Sequence, residues 1–600
     1  MPDVLFEPAG RRGGLSRGRG AGALPMAVHN IDIASVFDQI ADLLEIGGEN
    51  PFRVRAYRNA ARTVERYPQD LKTLIDSGAG LPRLPGIGDD LAGKIAEICA
   101  TGSCDALSRL HRTLPPGIGA LLSLPALGPK RVQTLHSALR IESVEDLERA
   151  LRSGRIATVP GFGEKTVQRI REAVAKRRGE PRRFSLPLAR QYALPLITRL
   201  QEVPGVRQVM PAGSLRRQRE TVGDVDLIAI GNDGPAVTNA LCADEDVAQV
   251  LAHGDTRATV LLRGGLQVDL RVVPPQSGGA ALQYFTGSKA HNIALRRRAQ
   301  DRGLKMNEYG VFRGTRRIAG ATEESVYRAV GLDWIAPELR EDRGEIDAAS
   351  AHRLPRLIER SDLAGDLHVH SKASDGRATI SQMAAAARQA GLSYVAITDH
   401  SRRLAVAHGL DPRRLARQLD EIDRLNEQLD GIRLLKGIEV DILPDGRLDL
   451  PDSVLSRLDL VVGAVHTGYG LARGAQTLRL QRAMANRHFS ILAHPGGRLI
   501  GRREPIEFDM QAIVREAARR GCFLELNGQP DRLDLEDRYC TLARDEGVLV
   551  AIGSDSHDVQ DFVNLEYGIG QARRGWLEAS DVLNTRPLPA LRALLRGTMR

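Results

Sequence analysis

The spacing of apolar residues changes twice along the chain. Up to about residue 180 the spacing is helical: in SVFDQIADLLEI one helical face carries Val36, Ile40, Leu43 and Leu44. From about 190 to 275, runs such as VDLIAI and LQVDLRVV are rich in β-branched residues and predict strands. From 363 onwards short apolar runs alternate with helical patterns, which predicts an α/β domain with a barrel as the candidate architecture.

Length and charge narrow the class of protein. The 600 residues are too many for one core and predict about three to five domains. The net charge of +9 suits a polyanion such as nucleic acid, although an arginine-rich composition alone could produce it. Five cysteines without a CxxC pair argue against a disulfide framework or a thiolate zinc site. No apolar run is long enough to cross a bilayer and no oligomerisation pattern occurs, so we expect a monomer without a membrane partner.

A short glycine pattern recurs three times in the helical region, as LPGIG at 84–88, LPALG at 124–128 and VPGFG at 159–163. A glycine turn that opens a helix presents backbone N–H groups to a phosphate, whereas a tight helix–helix turn is the alternative for a single copy. Three copies favour binding of the DNA backbone and resemble helix-hairpin-helix motifs, although Ala126 replaces the first loop glycine of the second copy. The candidate contact residues are Gly86, Gly88, Gly128, Lys130, Gly161, Gly163 and Lys165.

Three aspartates lie in predicted strands. Asp224 and Asp226 are two apart and share a strand face, and Asp269 lies in LQVDLRVV. Unpaired carboxylates in apolar strands are unfavourable unless they bind a cation, and three that converge suit two Mg²⁺ or Mn²⁺ ions. A solvated DxD at a sheet edge is the alternative for an isolated pair. Upstream, GSLRR offers amide, hydroxyl and guanidinium donors to phosphate oxygens.

The runs GSLRRQRETVGDVDL, VDLRVV, YFTGSKAHNIALRRRA and KMNEYGVF occur in this order and resemble family X DNA polymerases, the group of polymerase beta. The resemblance covers roughly residues 26–335. It implies that the catalytic carboxylates, which bind Mg²⁺ or Mn²⁺, are Asp224, Asp226 and Asp269. It implies nucleotide-binding roles for Gly213, Ser214, Arg217, Gly223, Tyr284, Phe285, Gly287, Asn292 and Arg296. For the two aromatic residues, a place in the core is the alternative.

In this family, a lysine in the helix after the first hairpin can attack a 5′-deoxyribose phosphate as a Schiff-base nucleophile. Lys94 in LPGIGDDLAGKI holds that position. Asp89 and Asp90 add negative charge where the phosphate would dock, and a surface lysine is the commoner meaning of any lysine. Lyase activity is therefore the weaker hypothesis for Lys94.

Histidines and carboxylates follow the predicted strands in the last part of the chain, beginning with DLHVHSKASDG and ending with GSDSH. Active sites of α/β folds gather at the carboxyl ends of strands. Imidazole and carboxylate ligands suit Zn²⁺, Mn²⁺ or Fe²⁺, and nine candidates are too many for one ion. The candidates are His368, His370, Asp375, His400, Glu439, His466, His494, Asp555 and His557.

This series resembles the PHP (polymerase and histidinol phosphatase) domain over about residues 363–585. The resemblance implies a distorted (β/α) barrel with a three-ion site that hydrolyses phosphoesters. Its first ion would be held by His368, His370, Glu439 and Asp555, its second by Glu439, His466 and His494, and its third by Asp375, His400 and His557. Arg498 and Arg532 are candidate phosphate contacts, with ordinary surface arginines as the alternative.

Patterns and resemblances together predict a multidomain α+β and α/β chain. Its parts are a disordered or misassigned start (1–25), a helical DNA-end-binding domain (26–100), a further helix-hairpin-helix region (101–184), a nucleotidyltransferase palm with a mixed sheet (185–275), a nucleotide-selection subdomain (276–335), a linker (336–362), the PHP domain (363–585) and a C-terminal tail (586–600).

A family X polymerase followed by a PHP domain resembles the bacterial family X repair polymerases. The resemblance implies filling of short gaps in gapped or nicked DNA from dNTPs, Mn²⁺-dependent 3′→5′ exonuclease activity at 3′ ends, and a place in the bacterial cytoplasm at the nucleoid. Four alternatives stay open. The PHP half could be an abasic-site endonuclease or a small phosphomonoesterase, one half could be an inactive scaffold, or the protein could bind DNA ends without catalysis.

Overall fold

The computed structural model describes residues 28, 30–65, 67, 71–78, 80–113, 118, 121, 124, 127–179, 183–404 and 407–599. Three sequence predictions fall outside the described residues: the disordered start at 1–25, the turn residues Pro125 and Ala126, and the side chain of Lys165.

Helices form the first part of the chain. They are Asn30–Ile46, Pro51–Glu65, Leu71–Asp76, Asp89–Thr101, Asp105–Thr113, Pro129–Leu139, Val144–Arg152 and Glu164–Gly179. The predicted apolar face of the first helix is buried in their common core, with Ile40 and Leu44 each 1% exposed. Three helices begin directly after the last glycine of a hairpin motif, at Asp89, Pro129 and Glu164.

A mixed five-stranded sheet occupies the part of the chain between residues 206 and 273. Its order is Val206–Pro211, Asp224–Gly231, Gln267–Val273, Arg257–Leu262 and Val247–Gly254. Two neighbouring strands run parallel and place Asp226 beside Asp269. Helices Leu186–Gln201 and Gly234–Cys242 pack on the face that buries Val225 and Leu227. On the opposite face Ile228 packs with Ala281 and Leu282. At the start of the same strand Asp224 is exposed and Asp226 is half-buried.

The next unit combines helices with a small sheet. Its helices are Gly278–Thr286, Lys289–Asp301, Glu323–Ala329 and Glu345–Ser350, and its antiparallel strands are Lys305–Asn307, Gly310–Arg313 and Arg316–Ala319. The stretch predicted as a linker packs on this unit instead of running free. Arg340 is fully buried, donates to the carbonyl of Ile335 and pairs with Glu323, while Glu345 pairs with His291. The polar residues of this stretch form buried ion pairs, and its composition therefore resembles that of a solvent-exposed linker.

Parallel strands dominate the last part of the chain. They are Gly365–Val369, Tyr394–Ile397, Arg433–Lys436, Glu439–Asp441, Val462–Ala464, Ile491–Leu492, Phe523–Asn527 and Val550–Gly553. The third and fourth continue one another across Gly437, and a parallel bridge between Val369 and Ser556 joins the last strand to the first. The strands therefore close into a distorted barrel, and the predicted combination of folds is confirmed.

Helices surround this barrel. They are Ile380–Gln389, Pro412–Gln428, Asp452–Leu455, Arg473–Met484, Met510–Arg520, Asp537–Asp545, Asn564–Arg574 and Leu588–Thr598. The last one lies in the predicted tail, and its Leu591 and Leu595 are buried against the strand residues, so this segment packs as part of the barrel unit. Among the described residues, no helix is long and apolar enough to span a membrane.

Candidate active sites

The three aspartates converge on the face of the mixed sheet that lies opposite helices Leu186–Gln201 and Gly234–Cys242. Asp226 and Asp269 are register partners, and Asp269 accepts hydrogen bonds from Thr259 and Gln267, each at 2.6 Å. Burial, together with the charges of Asp224 and Asp269, raises the pKa of Asp226 to about 7. Carboxylates crowded together in this way are typical of a site that binds a divalent cation. The three aspartates therefore fit Mg²⁺ or Mn²⁺.

The backbone of Gly213 lies directly against Asp226. Its φ is +58°, and a Cβ atom at this position would lie 2.1 Å from Asp226 Oδ2. Only glycine therefore fits both the left-handed backbone and the space beside the carboxylate. The following residue, Ser214, lines the same cavity as Asp224 and Asp226.

A cavity of about 740 Å³ opens beside these carboxylates. It brings together all the predicted nucleotide-binding residues, which are Gly213, Ser214, Arg217, Gly223, Tyr284, Phe285, Gly287, Asn292 and Arg296. Asp224 and Asp226 also line the cavity, whereas Asp269 lies outside its lining. Asn292 donates to the carbonyl of Tyr284 at 2.7 Å, and both aromatic residues are half-buried, not enclosed in the core.

Four lining residues were missed by the sequence prediction: Arg183, Arg219, Lys289 and Glu341. Arg219 and Lys289 lie inside the sequence runs that resemble family X polymerases, so their positive charge could have identified them as candidate phosphate contacts. Glu341 carried no such signal because it belongs to the stretch predicted as a linker. It accepts a hydrogen bond from Arg217 Nε at 3.1 Å.

The nine predicted metal ligands of the barrel meet at one end of its strands. Their ligand atoms form four groups, each within 4.8 Å: His370, Asp375, His400 and His557; His368, Glu439 and His494; His368, His370 and Asp555; and His400, Glu439 and His466. His466 Nε2 and His494 Nε2 lie 3.3 Å and 2.9 Å from the same oxygen of Glu439, although the first is also grouped with His400 and the second with His368. Glu439 belongs to two groups, as expected for a bridging ligand.

The chemistry of this cluster fits metal binding. Within the described residues neither ring nitrogen of His370 makes a hydrogen bond of good geometry, although Asp555 Oδ1 lies 3.2 Å from Nε2. Burial and the neighbouring His557 and His400 lower the pKa of His370 to about 4, which keeps it neutral. Buried neutral imidazoles whose nitrogens lack partners are suited to divalent ions.

A second set of carboxylates and one amide orients these ligands, and the sequence prediction did not assign the two carboxylates. Asp441 accepts from His466 Nδ1 at 2.8 Å, and Glu525 lies 2.6 Å from His368 Nδ1. Asn527 donates to Asp555 at 3.0 Å. Asp441 lies two residues after Glu439 in one strand, so strand periodicity was an available signal for it.

Replacing Asp441 with asparagine is expected to weaken metal affinity about 10- to 100-fold, because His466 loses the carboxylate that fixes its ring. The measurement is metal retained after dialysis against a graded chelator series, quantified by mass spectrometry. Asp445→Asn, at an exposed position of the same segment, is the matched control. Equal retention in the two variants would contradict the orienting role.

Arg498, a candidate phosphate contact, is held by contacts within the protein. It is buried, donates to the carbonyls of Arg532 and Leu533, and forms an ion pair with Glu220 of the mixed-sheet unit at 2.6 Å. Its charge is therefore used within the protein, at the junction of the two halves. Arg532 lies 3.8 Å from Asp555 and stays a candidate.

The hairpin glycines place helix ends at the surface. Gly86 and Gly161 adopt left-handed backbone angles of +72° and +88°, which few other residues adopt. Gly88 and Gly128 precede helices of 13 and 11 residues, and neither provides a side-chain cap to the helix N–H groups. Those donors therefore suit phosphate oxygens, and Lys130 is exposed beside the second turn.

Lys94 lines a separate cavity of about 590 Å³ among the first helices. Its ammonium forms an ion pair with Asp90. Burial alone would lower the pKa of Lys94, but hydrogen bonds with Asp90 and Tyr57 outweigh it and raise the pKa. The amine is thus held protonated, which is unfavourable for a nucleophile.

Comparisons with known proteins match each part of the chain. Two helix-hairpin-helix family models match residues 28–104 and 118–176, the DNA polymerase beta thumb model matches 281–341, and the PHP domain model matches 366–529. Probable phosphatases from Syntrophotalea carbinolica and Escherichia coli are 30% and 32% identical to the barrel half, over 36% and 32% of this chain and 90% and 78% of their own lengths.

Fold, sites and matches define a DNA polymerase of the polymerase beta class joined to a PHP domain. Over 574 residues the chain is 38% identical to the DNA polymerase/3′-5′ exonuclease PolX of Bacillus subtilis, which covers 95% of this chain and all of the relative. The chain belongs to this PolX family of DNA polymerase/3′-5′ exonucleases.

Proposed function

We propose that this protein fills short gaps in DNA during repair and trims the 3′ ends that it extends. The observation that carries the proposal is the cavity in which Asp224 and Asp226 face Ser214, Arg217 and Asn292. A triphosphate held there would have its reacting end at the carboxylates. The hairpin glycines would hold the DNA backbone without reading its bases, which suits repair at any sequence.

In the polymerase half, Asp224, Asp226 and Asp269 would hold Mg²⁺ or Mn²⁺, which stabilises the attacking and leaving oxygens of a phosphoryl transfer. Gly213, Ser214 and Arg217 would donate to the triphosphate. Gly223, Tyr284, Phe285 and Gly287 would enclose the sugar, with Asn292 and Arg296 beside the nascent base pair.

In the PHP half, the nine clustered ligands would hold two or three Mn²⁺, Zn²⁺ or Fe²⁺ ions, which supply a water of lowered pKa for phosphodiester hydrolysis. Asp441, Glu525 and Asn527 would keep the ligands in place. Removal of a mispaired or damaged 3′ nucleotide would leave the 3′-hydroxyl that the polymerase half needs. DNA at the nucleoid is the corresponding site of action.

The test is a denaturing gel of a 5′-labelled primer in a one-nucleotide gap with a downstream 5′-phosphate, incubated with Mn²⁺. We expect extension when dNTPs are present and shortening when they are absent. Extension without shortening would refute the exonuclease assignment, and an unchanged primer under both conditions would favour a DNA-end-binding protein without catalysis.

A second candidate for the PHP half is hydrolysis of small phosphomonoesters, favoured by the relatives named probable phosphatases. Competition distinguishes the two substrates: an excess of a small phosphomonoester should leave primer shortening unchanged if DNA ends are the substrate. Strong inhibition, with faster turnover of the small ester, would favour the phosphatase.

For Lys94 we expect no borohydride-trapped adduct with DNA that carries a 5′-deoxyribose phosphate, because the partner Asp90 keeps the amine protonated. The measurement is a denaturing protein gel after borohydride treatment, with Lys94→Ala as the control. An adduct formed by the wild type and lost in that control would establish the lyase. Asp90→Asn shows whether the carboxylate suppresses it.

A further inference from the structure

One helix of the PHP half contacts residues that line the cavity of the polymerase half. The helix Asn564–Arg574 packs against the barrel core through Leu565 and Ile569 and against the mixed-sheet core through Tyr567. Arg574 at its end is only 3% exposed. A guanidinium buried to this extent must be fully paired, because an unpaired buried charge is strongly unfavourable.

The partners of Arg574 belong to both halves. Nη1 donates to the carbonyl of Arg217 at 2.8 Å and to Glu341 Oε1 at 2.9 Å. Nη2 donates to Asp537 of the PHP half at 2.7 Å. Arg574 thus binds both the backbone of Arg217 and Glu341, the carboxylate that pairs with the Arg217 side chain.

Glu341 forms ion pairs with two guanidinium groups, those of Arg217 and Arg574. Glu341 Oε1 accepts from both Arg217 Nε and Arg574 Nη1, and Arg219 lies 3.9 Å away. The Arg217 guanidinium also donates to the carbonyl of Thr286. Without Arg574, Glu341 would be left mainly to Arg217 and would compete with an incoming phosphate for it.

We propose that Arg574 is a positioning residue for the nucleotide: it fixes Arg217 and weakens the hold of Glu341 on it, so that the PHP half sets the affinity of the polymerase half for dNTP. The inference rests on the proposed role of Arg217 in binding the triphosphate. Since coupling between sites is reciprocal, a bound dNTP would in turn strengthen the contact between the halves.

The neighbouring residue provides a matched control. Arg573 leaves the same helix, pairs with Glu338 at 2.7 Å and donates to the carbonyl of Ile358, but has no contact with Arg217 among the described residues. Loss of Arg573 removes one guanidinium and one ion pair between the same two units. A general weakening of the junction would therefore affect both arginine variants.

The experiment measures kcat and KM for dNTP on a one-nucleotide gap with the full-length protein. Arg574→Ala is expected to raise KM about 5- to 10-fold, because the variant loses a charge-assisted hydrogen bond and water replaces that bond only in part. Arg573→Ala should change KM by less than about twofold. Primer shortening by the PHP half should continue in both and reports that the chain is folded. Arg574→Lys, a milder change, should raise KM less than Arg574→Ala.

A double-mutant cycle with Glu341→Gln identifies the route. In that background the carboxylate no longer competes for Arg217, so Arg574→Ala should raise KM markedly less than in the wild type. An equal increase in both backgrounds, or equal KM values for the two arginine variants, would overturn the inference while leaving the polymerase intact. A wild type unable to add dNTP would overturn the proposed function and this inference together.

Discussion

Replacing Asp226 with asparagine is expected to lower the rate of dNTP addition by about 10³-fold or more while primer shortening continues. Asparagine keeps the shape of the side chain but removes the charge that, with Asp224 and Asp269, attracts divalent ions. Since Asp226 lies against Gly213 and is the register partner of Asp269, no other carboxylate can take its place. The measurement is single-turnover extension of the gapped primer.

The matched control for this prediction is Asp255→Asn. Asp255 belongs to the same sheet unit but lies exposed in the turn between two strands. Its replacement therefore removes the same charge at a position away from the cavity. It should extend the primer at the wild-type rate. Extension by Asp226→Asn at more than about a tenth of the wild-type rate would show that these carboxylates are not the metal site.

Replacing Glu439 with glutamine is expected to affect the other activity: primer shortening should fall about 10³-fold and dNTP addition should stay unchanged. Glu439 is 1% exposed and is shared by two of the four ligand groups, so one substitution affects more than one ion position. Burial alone would raise its pKa, but His400, His466 and His368 hold the pKa well below its usual range. The metal content of the purified variant should fall in parallel.

Glu427→Gln, on the exposed side of helix Pro412–Gln428, carries the same chemical change away from the cluster and should retain both activity and metal. Two results would contradict the assignment of Glu439. One is unchanged metal content with normal shortening. The other is a parallel loss of dNTP addition, which would indicate a folding defect of the whole chain.

Residues in short local runs were predictable from the sequence. The DxD pair lies on one strand, so strand periodicity alone places Asp224 and Asp226 together. The histidines follow apolar runs that had to be strands, and parallel strands bring their carboxyl ends to one end of a barrel. In each case the chain itself fixes the geometry within a few residues.

Residues that act across the junction were not predictable. Glu341 looked like part of a solvated connection, and Arg574 acts on a carbonyl 357 positions earlier in the chain. Arg498 was a candidate phosphate contact, with an ordinary arginine as the alternative, and it pairs with Glu220, 278 positions away. An arginine-rich composition hides such partners, because nothing in one sequence distinguishes a paired buried arginine from a solvated one.

The buried pair of Arg340 and Glu323 has a consequence for how this chain can be divided. Arg216 also pairs with Glu323, so the stretch after residue 335 completes the polymerase unit from within. A shortened chain that ends before Arg340 would keep the catalytic aspartates but leave Glu323 short of one of its two cations. The polymerase unit therefore extends at least to Arg340, and a cut that separates the two halves has to leave this residue with the polymerase.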